Sequence, residues 1–392
     1  MKKYFRKTGE NLFCSDFALE EASRHAPQFL KKLDEEVDFE ELWHEKLLNS
    51  YKGGAELGAS AYRPVLVFKM LFLSYLFQLS EREIERTVND SICMKQFLGL
   101  GLMDKAPDHS TLTKFKNRIL NYEVRTEEEV FHSIFADVVR LALERKVDLG
   151  YTQAIDSTHV IANVNTSKMA QEQKSAEKRD GPPKPPQDPD AVWGVKRVRT
   201  VKSTEGEKIK VNESYFGYKV HLSTSQTTPL VTSLETSPMS ASDNKHFVSL
   251  VEADRLKGIG TALQTCYTAD RAYDDGELHA WLNKWKYKDA IALKKWTKKE
   301  KAVEGRLPAK HTVYTTQEEY EEGLKKRYVV EQTNASLKSY HTLKRARYLG
   351  YTKMHLQALM SSTAHNLKIL VKLWTGVALR STTLPKAHVS LG

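Results

Sequence analysis

Thr152-Gln153-Ala154-Ile155-Asp156-Ser157-Thr158-His159-Val160-Ile161 decides how this chain folds. The run is rich in β-branched and apolar residues and reads as a strand. Asp156 interrupts it, and aspartate is depleted in strand interiors. A carboxylate flanked by apolar residues needs a partner or a metal. An edge position, a local hydrogen bond and a catalytic role each account for it.

Working downstream, Tyr215 to Ser223 alternates aromatic or β-branched residues with polar ones and predicts a second strand; Leu230 to Leu234 predicts a third. A helix is expected around His246 to Leu256, a strand at Ala262 to Ala269, a helix at Asp275 to Lys284 and a strand at Ala290 to Leu293. A long helix should then run from Glu318 to Leu343. Three strands followed by helix-strand-helix-strand-helix is the order of a ribonuclease-H-like mixed sheet. Between the first two strands, Ser167 to Asp190 is polar and holds Gly181-Pro182-Pro183-Lys184-Pro185-Pro186. That composition predicts a flexible loop over 167–190.

Upstream, the chain reads as helical. Phe17 to Leu48 has apolar residues at helical spacing, and Val65 to Leu79 is apolar enough to be a buried helix, with Lys69 interrupting it. Ser80-Glu81-Arg82-Glu83 predicts a capping box. Gly99-Leu100-Gly101 lacks the further glycines and lysine of a phosphate loop and reads as a turn. Asp108 is a candidate N-cap for a helix whose apolar face carries Leu112, Phe115 and Ile119 and whose other face carries Lys114, Lys116 and Arg118. Both a helix-turn-helix-like DNA-binding unit and a small bundle with a solvated basic face fit this pattern. A further helix, Glu127 to Arg145, leads into the strands, and another spans Met354 to Leu379. The expected domains are an all-α N-terminal part over 1–125, an α/β catalytic part over 126–350, and a C-terminal helix and tail over 351–392.

The 392 residues are 40% hydrophobic and 28% charged, which excludes a disordered chain. A net charge of +10 favours a polyanionic partner without identifying one. Cys14, Cys93 and Cys266 are odd in number and far apart, which argues against a disulfide framework or a zinc motif and fits a reducing cytosol. No apolar stretch follows the basic start Met1-Lys2-Lys3, so no signal peptide and no membrane are expected.

Two further acids attract attention. Asp270 ends the strand Cys266-Tyr267-Thr268-Ala269, where ligands bind in open α/β sheets. Pairing with Arg271 or capping the turn explains it equally well. Glu331 lies on the long helix, where about 100° per residue brings Arg327, Glu331 and Lys338 into one arc with Asn334 close by. That face can bind metal while its cations grip phosphates, or it is an exposed face with ordinary charge pairing. Taken together, two strand-end aspartates and a helical glutamate suit Mg²⁺, which prefers oxygen ligands.

At these residues the chain resembles DDE transposases of the insertion-sequence-five type, over roughly Ala61 to Leu370. Ile155-Asp156-Ser157-Thr158 resembles the segment around the family's first aspartate, Gly217-Tyr218-Lys219-Val220-His221 its following strand, and Ala269-Asp270-Arg271-Ala272-Tyr273 the segment around its second. Arg327, Glu331 and Lys338 match its signature helix, with Leu324 where a tyrosine is usual and Ala272 where a glycine is usual. The resemblance implies that Asp156, Asp270 and Glu331 are catalytic and hold two Mg²⁺ (or Mn²⁺) ions. It implies contacts to DNA from Arg327, Lys338, Asn334 and Lys219. The implied activity is to cut insertion-sequence ends and join the 3′-hydroxyls to target DNA. The implied partners are double-stranded DNA, both inverted-repeat ends and target, with a homodimer or higher oligomer acting in the bacterial cytoplasm at the nucleoid. A ribonuclease-H-like nuclease or resolvase, and an inactive DNA-binding derivative, are the rival readings. No large β insertion is expected between Asp270 and Glu331.

Overall fold

The computed structural model describes residues 28–51, 60–178, 182, 184–202, 208–294 and 313–379. It divides into two units, Met1–Asp137 with Thr363–Gly392, and Val138–Ser362.

In the first unit, α1 (Gln28–Glu36), α2 (Phe39–Asn49), α3 (Pro64–Leu76), α4 (Glu81–Asp90), α5 (Ile92–Leu98) and α6 (His109–Thr126) are followed by α7 (Val130–Glu144), which runs on into the second. The stretch expected as one helix from Phe17 is two where it is described; Asp38 breaks it and caps α2 by accepting from the Glu40 and Glu41 amides. Helix α3 is apolar on nearly all sides and correspondingly buried. Its one interruption, Lys69, pairs with Asp34 and lies 4.6 Å above the Phe97 ring. Among the described residues no single helix is long and apolar enough to cross a membrane. The capping box at Ser80 forms in both directions, and Asp108 caps α6 through the Thr111 amide at 2.9 Å. Gly99 ends α5 in the left-handed region at φ 69°, where a glycine costs least. The basic face expected on α6 is not uniformly solvated: Lys116 is buried and ion-paired with Glu81, while Arg118 stacks over the Tyr51 ring at 4.2 Å.

The second unit holds β1 (Thr152–Ile161), α8 (Thr166–Lys178), β2 (Val192–Lys202), β3 (Lys208–Ser225), β4 (Val231–Pro238), α9 (Phe247–Leu256), β5 (Cys266–Ala269), α10 (Gly276–Lys284), β6 (Lys288–Ile291), α11 (Gln317–Lys326) and α12 (Tyr328–Tyr340). Helix α13 (Tyr351–Thr375) begins here and ends in the first unit. Sheet order is β2-β3-β1-β5-β6, with β4 also paired to β3. Strand β1 is antiparallel to β3 and parallel to β5, and β5 is parallel to β6. Without β2, the order β4-β3-β1-β5-β6 fits a ribonuclease-H-like core.

The alternation of each strand sorts its residues between two faces. Ile155, Tyr267, Ala269 and Ile291 pack with Phe247, Leu250 and Val251 of α9 and Leu278 and Leu282 of α10. The opposite face receives α11 so closely that a Cβ on Gly323 would stand 2.6 Å from the Ala290 Cβ. Asp156 and Asp270 belong to this second face, because each follows a registered residue of the first, Ile155 opposite Ala269.

Three expectations are corrected. The polar segment expected as a flexible loop over 167–190 contains α8. Its Ala, Gln, Glu and Lys residues favour helix, and the Asn165 carboxamide caps it at the Lys168 amide, 3.1 Å away. The end of the segment is tied down by buried Asp188, which accepts from the Tyr218 hydroxyl at 2.7 Å and the Gly350 amide at 3.2 Å. Strand β2 is additional to the expected set, and β3 is twice as long as expected because its first half pairs with β2. The helix expected over Glu318 to Leu343 breaks at Arg327, where bonding tightens to i→i−3: Arg327 donates to the Leu324 carbonyl and Val330 to that of Arg327. Between Asp270 and Glu331 the only described strand is β6.

Gly217 marks the point where β3 passes from β2 to β1. A side chain there would collide with β1, since a Cβ would lie 2.1 Å from the Val160 carbonyl oxygen.

Candidate active site

Asp156 and Asp270 stand next to each other because β1 and β5 are adjacent and in register one residue earlier. Neighbouring strands are about 4.8 Å apart. Asp270 keeps extended backbone and caps the short turn Arg271–Tyr273, accepting from the Ala272 amide at 2.8 Å. Asp156 keeps part of its surface open, yet protein atoms crowd its carboxyl. Burial first, and the Asp270 charge second, push its pKa up to about 7. The Ser157 amide, Arg327 and the Asn334 carboxamide oppose that rise. Tyr273 lies beneath, fully buried, its hydroxyl raised well above the ordinary tyrosine range by burial and by Asp243, Asp156 and Asp270.

Helix α12 packs on β1 and β3. Its anchor at the site is Asn334, whose Nδ2 donates to Asp156 Oδ2 at 2.9 Å. Glu331 is three residues earlier and therefore on the same helix face, with about 5–6 Å between such Cβ atoms. Its carboxylate is not turned to the aspartates: it pairs with the Arg327 guanidinium at 2.8 Å, half exposed. Accordingly no three His, Cys, Asp or Glu side chains close on a metal-sized point among the described residues. The structure sets Asp156 beside Asp270, brings α12 to Asp156 through Asn334, and turns the Glu331 carboxylate to Arg327.

The residues read as DNA contacts separate. Arg327 pairs with Glu331, and Lys338 is half-buried on the same helix. Asn334 is a buried neighbour of Asp156. Lys219 turns inward, its ammonium bonded to the Ala241 carbonyl at 2.8 Å and to Asp243 at 2.9 Å. His159 is half-buried on β1, while His221 is fully buried on β3 and stacks on His246 at 4.0 Å.

One cluster escaped the sequence reading. His279 of α10 is buried between Asp274, at 2.9 Å from Nε2, and Asp289, at 2.5 Å from Nδ1. Asp274 follows the Asp270 turn and Asp289 sits in β6, so the imidazole ties that turn to the sheet. Asp289 lies inside a strand ending in Ala290-Ile291, the same signal that drew attention to Asp156.

Residues 152–367, more than half of the chain, match a family described as the transposase DDE domain. This chain belongs to that transposase family. Residues 17–118 of the transposase match a second family, described as a transposase domain. A chain in the cryo-EM structure of a piggyBac transposase synaptic complex with hairpin DNA aligns over 96% of this transposase and 80% of its own length. Its TM-score is 0.43 and its identity 9%. No curated protein matches the transposase.

Divalent metal use is general to the DDE family. The donor chemistry here fits such an ion. Asp156 and Asp270 offer adjacent hard oxygens whose mutual repulsion a cation relieves. The buried Oδ1 of Asn334, beside Asp156, has no hydrogen-bond partner.

Proposed function

We propose that this transposase is of the insertion-sequence-five type, cutting element ends and joining the freed 3′-hydroxyls to target DNA. The observation that carries the reading is the pair Asp156–Asp270 on one sheet face, with α12 held against it through Asn334. Asp156, Asp270 and Glu331 would hold two Mg²⁺ ions, Mn²⁺ substituting. Such a pair, when bound, supplies activation of the attacking oxygen and stabilisation of the leaving one in an in-line displacement.

The protein's own groups do the remainder. Arg327 has a phosphate-matching fork and sits one turn from Glu331. A DNA phosphate that takes the guanidinium frees the Glu331 carboxylate to face the aspartates. Asn334 orients Asp156, and Lys338 gives α12 a further cation for the backbone of the cleaved end. Helices α4 to α6, from Glu81 to Thr126, are proposed to recognise the element ends in a helix-turn-helix-like manner. The working form is a homodimer or larger assembly on DNA.

The test is cleavage of a labelled element-end duplex in Mg²⁺ by Asp156→Ala, Asp270→Ala and Glu331→Ala. Each should lose cleavage and keep a gel shift; full activity in one removes that residue from the site. A pre-cut 3′ end separates a transposase, which joins it to target DNA, from a nuclease or resolvase, which does not.

A further inference from the structure

Lys219 stands on β3 opposite His159 of β1 and Ser237 of β4. The same register sets Ser223 opposite Ile155, so alternation puts Lys219, His221 and Ser223 on the face that packs against α9. The Ser223 hydroxyl fits that placement, donating to Asp254 of α9 at 2.5 Å. Asp156 belongs to the other face. Lys219 and the Asp156 carboxylate thus leave the sheet on opposite sides.

The Lys219 side chain is 11% exposed, and a buried cation is held only where its protons find acceptors. Its Nζ donates to the Ala241 carbonyl at 2.8 Å and to Asp243 Oδ1 at 2.9 Å, both on the connection from β4 to α9. Two positions along β3, the His221 ring stacks on His246 of the same connection at 4.0 Å. Strand β3 therefore holds the short turn Asp243–His246 at both of its ends.

The turn passes that hold onward. The Asn244 side-chain amide donates to Asp275 Oδ2 at 3.0 Å, while its oxygen accepts from the Ser242 hydroxyl at 2.7 Å. Asp275 Oδ1 accepts from the Glu277 amide at 2.9 Å and so caps α10. Phe247, directly after the turn, has its ring 5.8 Å from that of Tyr273. Tyr273 and Asp275 lie three and five residues beyond Asp270. The segment between has little slack, since the Tyr273 amide donates back to the Asp270 carbonyl at 3.2 Å. Contacts run from Lys219 through Asp243, Asn244 and Asp275 to the segment that sets Asp270 beside Asp156.

We propose that Lys219 is a positioning residue for the aspartate pair: anchored to Asp243, it fixes the turn that carries Asp270, and it makes no contact with DNA. The inference rests on the reading of Asp156 and Asp270 as metal-holding residues.

The experiment measures Mn²⁺ binding to the full chain, without DNA, by the electron paramagnetic resonance signal of the free ion. It compares wild type with Lys219→Met, Asn244→Ala and Asp270→Ala. Loss of an outer partner of a metal ligand lowers affinity about 10- to 100-fold, and these contacts lie further out, so Lys219→Met and Asn244→Ala should each weaken binding roughly tenfold. Lys219→Met strands Asp243 and should melt lower; Asn244→Ala keeps that ion pair and separates positioning from stability. Unchanged Mn²⁺ affinity in either variant overturns the proposal and leaves the aspartates standing. A second arm follows binding to an element-end duplex by fluorescence anisotropy across a salt series. Lys219→Met should keep the wild-type slope of log K against log salt; a slope flatter by about 0.9 makes Lys219 a phosphate contact and overturns the proposal. If Asp270→Ala binds Mn²⁺ as tightly as wild type, the reading of the site falls and this inference with it.

Discussion

The side-chain amide of Asn334 donates to Asp156 at 2.9 Å, although 178 positions separate the two residues. The bond does two jobs. It seats helix α12 on strand β1, and it supplies a neutral donor to a carboxylate crowded by Asp270.

Replacing Asn334 by Ala should therefore lower cleavage more than DNA binding. A buried group left without its partner costs about 1–3 kcal/mol, so a stability loss in that range is expected from urea unfolding. The check is cleavage and gel shift on one preparation; equal losses in both would make Asn334 a general structural residue.

For Arg327→Ala the balance should reverse. Its pair with Glu331 is half exposed, and exposed pairs of this spacing contribute about 0.3–0.5 kcal/mol. Thermal unfolding should hardly move, while cleavage of an element-end duplex falls at least tenfold through loss of the phosphate contact. A large drop in melting temperature with intact cleavage would make the residue a helix-junction brace.

The order of these two outcomes shows what the sequence disclosed and what it hid. The ten residues of β1 and the neighbouring position of Asp156 and Asp270 were legible, because alternation and strand-end aspartates are local signals. The break at Arg327 was not: no glycine or proline marks it, and the charged pattern runs through unbroken. Strand β2 was hidden because Lys and Arg replace the polar positions of an ordinary half-buried strand, and α8 was masked by the prolines that follow it. Side-chain direction was the least legible property. Spacing set Arg327, Glu331 and Asn334 on one arc and left ordinary charge pairing open, but it gave no sign of the inward turn of Lys219 or the contact of Asn334 with Asp156.

His279 should be among the most sensitive positions in the second unit. Both ring nitrogens face buried carboxylates, and removing one partner of a buried ionic cluster costs about 3–5 kcal/mol. His279→Ala should show that loss in denaturant melts, together with lost cleavage, since Asp274 belongs to the turn after Asp270. A change below about 1 kcal/mol would mean that water replaces the imidazole freely.

His221 supplies a pH dependence. Burial, then the stacked His246, hold its pKa down to about 3, against 6.5 for an ordinary histidine. Asp243 and Glu235 oppose this, while Lys219 reinforces it. Between those values the unfolded chain binds a proton that the folded chain refuses, so this residue's contribution to stability is full above 6.5 and declines as pH falls toward 3. Urea midpoints at pH 7 and pH 5 should differ more for wild type than for His221→Gln. Equal differences would mean that the imidazole takes its proton without unfolding.

Strand β3 passes Gly217 without interruption, from its pairing with β2 to Leu222, which lies opposite Asp156. No joint separates the two ends. The backbone that pairs with β2 is thus the same backbone that fixes the register beside the carboxylate, so an insertion or deletion anywhere along this strand before Leu222 would move the partner of Asp156.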